Sequence, residues 1–434
     1  MSARDCDPAV TLGGAGTTGR GTPDTAATAD TRDHSRAASS DPVRLARTMP
    51  ATGVETTPAS GVPDPARPAD IETQAAALLS LPGMHAGRMR ALFDAFGSVA
   101  GVVEAMNSGV ALTVLRGTRD GASIDLLRRW RAAWDPAAAA ATVASWGALV
   151  TIEGTPGHPI ADPLPDRPPV LLTRGSGPLI PGPRVAIVGT RAASPAGLTD
   201  ARTLGHVLAR AGVTVVSGLA IGIDTAAHEG ALAGGGPTYG VVATGLDVVY
   251  PRRNHVLFER VRANGALVAE TWFGVQPEPW RFPVRNRIIS ALSHLAVVVE
   301  ATERGGARIT AEHALEHGRP VFAVPGSRRN PAAAGCNRLI ADGAHPLLDP
   351  ADLLLALGIG DGKPVGWTPP DAAGSKAGLD AEAARVLARL RGDPASADEL
   401  ATDLGLEPTA IAGAIGRLVR AGHAVRKRGL VWPT

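Results

Sequence analysis

Six short apolar runs recur between residues 184 and 345: Val185–Val188, Val213–Val216, Tyr239–Ala243, Ala266–Ala269, Leu295–Val299 and Pro320–Val324. Each is continuous rather than alternating, which reads as a strand buried on both faces. Stretches of about 10–20 residues with helical character separate them. Buried strands alternating with helices build a parallel sheet covered on both sides. The expected fold class is therefore α/β: an extended Rossmann-like, mostly parallel sheet over residues 184–358.

The flanks read differently. Residues 1–70 hold no Phe, Trp or Tyr and are rich in Ala, Thr, Pro, Gly and Asp, a composition that buries too little apolar surface to offset its ordering entropy. They are expected to be a disordered tail. From Ile71, apolar residues fall at helical spacing through Leu78, Leu79, Met89, Leu92, Phe93, Leu126, Leu127 and Trp130. Residues 71–150 are thus expected to form a small helical module. Its Leu81-Pro82-Gly83 turn has the look of a helix-hairpin-helix or sterile-alpha-motif unit, either a structural module or one that binds DNA backbone through turn amides. Proline-rich residues 151–183 read as a linker with short strands, and 359–379 as a second linker. Residues 380–434 spell three helices, with a turn at Gly405, and then a hairpin, which is the pattern of a winged helix.

The 434-residue chain carries 43 Lys+Arg against 41 Asp+Glu, a net charge of +2 with no global basic field. Lysine occurs only at Lys363, Lys376 and Lys427, so Schiff-base or Walker-type lysine chemistry is excluded from the sheet region. Two cysteines, Cys6 and Cys336, exclude a disulfide scaffold or a four-cysteine zinc site. No apolar run reaches membrane-spanning length and no signal-peptide core is seen, so a cytoplasmic protein without membrane attachment is expected. Nothing in the sequence calls for a cofactor or a metal.

Ligands of parallel sheets bind at the carboxyl ends of the strands. Four such ends are informative. The first is Gly189-Thr190-Arg191, with Arg191 placed to fork onto a phosphate or carboxylate. In the second, Ser217-Gly218-Leu219-Ala220-Ile221-Gly222 leads to Asp224 and His228, which are four residues apart and form either an acid–base pair or a cap and packing contact. The third, Phe282-Pro283-Val284-Arg285-Asn286-Arg287, reads as a helix start where two arginines and an amide suit a phosphodiester, unless the arginines pair with Glu300 or Glu303. The fourth, Arg304-Gly305-Gly306-Ala307-Arg308-Ile309-Thr310, offers a glycine nest before a helix. Neither a dinucleotide fingerprint nor a P-loop is present. Cys336 has no neighbouring His in the sequence and reads as a packed residue. Residues 281–342 hold nine Arg against five acids, so a basic face is expected where these loops converge.

Read together, the strings IVGTR (187–191), SGLAIGIDTAAH (217–228), GLDVVYP (245–251), FPVRNRII (282–289), ITAEHALEHGRPVFAVPG (309–326) and GCNRLIADGA (335–344) resemble the DNA-processing protein A family (DprA, also called Smf). The resemblance implies a cytoplasmic, non-enzymatic protein that binds single-stranded DNA, protects incoming DNA in natural transformation and helps load the RecA recombinase. It also implies a homodimer formed through the Rossmann domain. The DNA site implied here comprises Gly189, Thr190, Arg191, Ser217, Gly218, Gly222, Arg285, Asn286, Arg287, Arg304, Gly305, Gly306, Arg308 and Thr310. The chain departs from the family in three places: no lysine lies in the Rossmann region, Gly305-Gly306-Ala307 stands where Ser-Gly-Ser is usual, and Ala269 stands where Ser precedes the glutamate.

Backbone binding of this kind predicts little sequence preference and a steep salt dependence. With few aromatics in the region (Tyr250, Trp272, Phe273, Trp280, Phe282), phosphate contacts are expected to outweigh stacking. A second reading is a nucleotide-monophosphate phosphoribohydrolase, whose signature is loosely echoed by Gly305, Gly306 and Glu312. A third is an adaptor. The basic C-terminal residues Arg417, Arg420, Arg426, Lys427 and Arg428 suit either duplex contacts or protein docking.

Overall fold

The computed structural model describes residues 70–367 and 380–433, apart from 119–120, 391–392, 421–422 and 428. The expected tail (1–70), but for its last residue, and much of the second linker lie outside the described residues.

Among the described residues the N-terminal module has six helices: α1 (Ile71–Ser80), α2 (Ala86–Phe96), α3 (Val99–Ser108), α4 (Ala111–Arg116), α5 (Ile124–Ala133) and α6 (Pro136–Ser145). Short polar residues set their starts. Asp70, Ser98, Ser123 and Asp135 each accept a backbone N–H of the first turn. The Leu81-Pro82-Gly83 turn is held from inside, because the buried Trp130 donates its indole N–H to the Pro82 carbonyl at 2.9 Å. That engagement favours the structural reading of the turn.

A nine-stranded sheet follows, made of β1 (Ala148–Ile152), β2 (Val170–Gly175), β3 (Arg184–Val188), β4 (Thr214–Ser217), β5 (Thr238–Val241), β6 (Ala266–Ala269), β7 (Leu295–Val298), β8 (Val321–Ala323) and β9 (His345–Pro346). Its order is β1-β2-β6-β5-β4-β3-β7-β8-β9. All neighbours are parallel except β1–β2 and β2–β6. The segment expected as a linker therefore supplies β2, an integral strand, with Leu172 opposite Ala269. A short strand is expected in this segment, but β2 is paired on both sides rather than at an edge, and its first four residues are buried.

Helices α7 (Pro195–Arg210), α8 (Ile223–Ala233), α9 (His255–Asn264), α10 (Arg281–Ala291), α11 (Gly306–Glu316), α12 (Ala334–Ala341) and α13 (Ala351–Ala356) cover the sheet. Alternate residues of one strand feed opposite layers. Val185 and Ile187 pack with α7 and α8, whereas Ala186 and Val188 pack with α10 and α11. The N-terminal module shares a core with the sheet, since Leu78, Leu92 and Trp130 belong to one buried cluster with Phe258, Leu267 and Ala269. At about 25 cal/mol per Å2 of apolar surface, such shared burial ties the module firmly to the sheet.

The C-terminal unit is α14 (Ala381–Leu390), α15 (Ala397–Leu404), α16 (Pro408–Arg420) and the antiparallel hairpin β10 (Ala424–Lys427) and β11 (Leu430–Pro433). Ala395 bridges to Val431, adding the short third strand of a winged helix. Ser396 and Glu399 form a reciprocal capping box, and Gly405 leaves α15 at φ 60°. Arg417 is committed to Asp380 and Glu382, so it is not a free cation for duplex contacts. Arg426 and Lys427 are exposed.

Candidate nucleic-acid interface

From β3 the chain steps outward through β4, β5 and β6 on one side, then crosses to β7 and β8 on the other. The crevice between the carboxyl ends of β3 and β7 is therefore the topological switch point, where open α/β sheets bind ligands. A cavity of about 540 Å3 lies there, lined by Gly189–Arg191, Tyr250, Pro279–Arg285 in part, Asn286, Thr302, and Gly305–Thr310 in part.

Close backbone approach shapes its floor. A Cβ on Gly189 would sit 2.4 Å from the Ile223 side chain and 2.9 Å from the Glu300 carbonyl. The Thr190 N–H donates to that carbonyl at 2.7 Å. Glu300 itself accepts from the Ser194 N–H and hydroxyl at 2.8 and 2.6 Å, fixing the start of α7. It is therefore not the partner of the α10 arginines.

Arg191 is exposed at the rim, and no carboxylate pairs with it among the described residues. Its guanidinium lies 5.3 Å from the Phe282 ring centroid, and Phe282 is 5.3 Å from Tyr250. An Arg–Phe–Tyr cluster thus forms one wall. The tertiary fold brings these two rings together from distant loops. Opposite stands the N-terminus of α11. Gly305 is its cap residue and makes no side-chain cap, and a Cβ on Gly306 would meet nothing within 4 Å. Such a helix start presents N–H groups and a positive partial charge to an anion.

The α10 arginines differ from expectation. Residues 285–287 lie in the second turn of α10 rather than at its start, so no free helix amides surround them. Arg285 is 6% exposed and donates to the carbonyls of Gly218, at 2.8 Å, and Val241. Burial, opposed by the nearby Asp224 charge and reinforced by Arg191, lowers its pKa to about 10. Arg287, 8% exposed, is spent on a buried ion pair with Glu270. Both are structural cations, although Arg285 reaches the cavity wall. Asn286 accepts from Arg285 Nε at 3.2 Å and faces the cavity.

The second loop is also mostly structural. Ser217 is fully buried and donates to the Ile187 carbonyl at 2.6 Å. Gly218 leaves room for the Arg285 guanidinium, which a Cβ would approach at 2.6 Å. Gly222, at φ 87°, lines a second cavity of about 430 Å3 that meets the first at Arg191 and includes Arg253. Asp224 accepts from the N–H groups of Gly218 and Ala220, and burial raises its pKa against the lowering charge of Arg285. His228 bonds Thr238 at 2.7 Å instead of Asp224, and its burial, with the Arg285 charge, pushes its pKa down to about 3. The cap-and-packing alternative therefore holds for this pair.

In the fourth loop, Gly305, Gly306 and the buried Thr310 line the cavity. Arg304 is exposed beside it without lining it. Arg308 is held along α11 by the Glu303 carbonyl at 3.0 Å and by Glu312 at 3.9 Å. Glu312 is exposed on the outer face of α11, away from the cavity. Cys336 is buried, and burial pushes its thiol up to about 12.

The fold defines a Rossmann-type protein with a crevice at its switch point and an appended winged helix. Residues 157–358 match the family described as DNA recombination-mediator protein A, and residues 370–429 match the DprA winged helix domain. Protein Smf of Synechocystis sp. is 43% identical over 201 residues, covering 45% of this chain and 50% of that protein. DNA processing protein DprA of Streptococcus pneumoniae is 42% identical over 189 residues, covering 44% of this chain and 67% of that protein. The X-ray structure of DNA processing protein A from Streptococcus pneumoniae superposes with a TM-score of 0.55 at 30% identity, covering 65% of this chain and 97% of that one. The chain belongs to the DNA processing protein A (DprA/Smf) family. The aligned stretch spans half to two thirds of the length of these curated relatives.

Proposed function

We propose that this protein binds single-stranded DNA without sequence preference through the crevice at the β3–β7 switch point, and that it acts without catalysis. The observation that carries this reading is the pairing, across one cavity, of an unpaired exposed Arg191 stacked on Phe282 with an uncapped α11 N-terminus. The cation and the free amides take phosphate oxygens, and the rings take the face of an unstacked base. Duplex DNA hides its base faces, so this combination favours a single strand. Gly189, Thr190, Asn286, Gly305, Gly306 and Thr310 complete the lining, with Arg304 as an outer charge.

Among the described residues lining the cavity no acid–base pair is poised, in keeping with a non-enzymatic role. Among the described residues, the carboxylate lining the cavity is Asp224, which is turned onto two backbone N–H groups. The phosphoribohydrolase reading is disfavoured because Glu312 faces away.

Family membership supports a place in DNA processing during transformation, in the cytoplasm, with RecA as the recombinase served. No helix among the described residues is long and apolar enough to cross a membrane. Family resemblance suggests a homodimer, and β9, the outermost strand of the sheet, is one edge a second copy could use.

Fluorescence anisotropy with labelled oligo-dT and a matched duplex, across a salt series, tests the reading. Tight single-strand binding that weakens steeply with salt is expected. Equal affinity for duplex, or no binding at all, overturns it.

A further inference from the structure

We propose that Trp280 is a second base-stacking platform, placed on the outer rim of the crevice and seating a nucleobase adjacent to the one the cavity holds. The inference rests on the single-strand reading above. Trp280 lies between Pro279 and Phe282, both of which line the cavity, yet its own indole does not line it and is 48% exposed. An indole left half in water forgoes a large apolar burial. This one is fixed on two sides. Its N–H donates to the Glu278 carboxylate, and the Arg281 guanidinium lies 4.4 Å from its ring centroid. Arg281 is in turn held by Glu278 at 3.4 Å. No other ring packs on the indole among the described residues. Edge and cation are engaged, and an aromatic surface is left for a planar partner.

The arrangement repeats the inner one. Arg191 stacks on Phe282 inside the rim, and Arg281 stacks on Trp280 outside it. Two Arg-backed rings within three residues suit two successive bases of one strand, because base–aromatic stacking tolerates any base and leaves the phosphates to the cations. A nucleobase is therefore the partner: it is planar, and it is tethered to the strand already seated in the cavity.

The test uses the full chain, oligo-dT of about 4 and about 12 nucleotides, and a series of the longer strand bearing a single abasic site at each position. Trp280→Ala is expected to weaken the longer strand roughly fivefold or more, to leave the shortest strand within about twofold, and to become insensitive to one abasic position that weakens the wild type. Trp280→Phe should keep most of the affinity while abolishing part of the fluorescence quenching on DNA addition. If Trp280→Ala unfolds, as judged by thermal melting, the Phe variant and the abasic series decide. Equal losses on both strand lengths would make Trp280 a loop-positioning residue and overturn the platform, as would no loss on the longer strand. Failure of the wild type to bind either strand would overturn the single-strand reading itself, and the platform with it.

Discussion

Arg191 and the Arg285–Asn286–Arg287 triplet look alike in sequence, as basic residues beside apolar runs in a region of positive charge. Their fates are opposite. Arg191 follows a strand end, is exposed, stacks on the Phe282 ring and pairs with no carboxylate among the described residues. Arg285 and Arg287 sit mid-helix beneath the surface, one on backbone carbonyls and one on Glu270. The difference is one of desolvation. A cation that has already lost its water must be paired within the protein, and pairing removes it from the set available to a phosphate. A cation left hydrated over a ring keeps its donors for a ligand.

Four measurements press on that contrast. Arg287→Ala strands the Glu270 carboxylate in the core and is expected to cost about 3–5 kcal/mol of stability by urea denaturation. A loss under about 1 kcal/mol would show the pair to be solvated and weaken the contrast. The buried side also has a pH signature. His228 is held neutral with its pKa near 3, below its ordinary 6.5, so the unfolded chain takes up a proton first. Stability is full above pH 6.5 and falls as the pH drops toward about 3. His228→Gln should flatten that slope; an unchanged slope would assign it to other groups. Arg191→Ala is expected to weaken single-strand binding by about 1–3 kcal/mol while stability stays within about 0.5 kcal/mol. Unchanged affinity would remove Arg191 from the site. Smallest is Arg304→Ala, expected to cost under about 1 kcal/mol at moderate salt and to lower the salt slope by about one. A larger loss would bring Arg304 into direct contact.

The fold was legible because burial writes itself into sequence. Val185–Val188 and Leu295–Val298 are apolar at every position since both faces of the sheet are covered. The winged helix was equally plain, with its apolar helix faces and Gly405 in place. Strand β2 was legible as a short strand but not as an interior one, because its neighbour β6 lies about 95 residues downstream, a pairing that no local pattern can indicate. The crevice was half legible. Gly189, Arg191 and Gly305–Gly306 follow strands, and the strand-end rule finds them. Tyr250 and Phe282 were visible as residues but not as a pair.

By itself, the sequence determined the class of fold, the strand-end loops and the scarcity of lysine, all of which depend on local composition and period. Tertiary structure alone decided which arginines remain free. Ser217, Gly218, Arg285 and Arg287 became scaffold, whereas Arg191 and the Phe282 and Trp280 rings were left at the surface. The reason is physical. Charge is a property of a residue, but its availability depends on the water and partners that distant segments bring to it or take away.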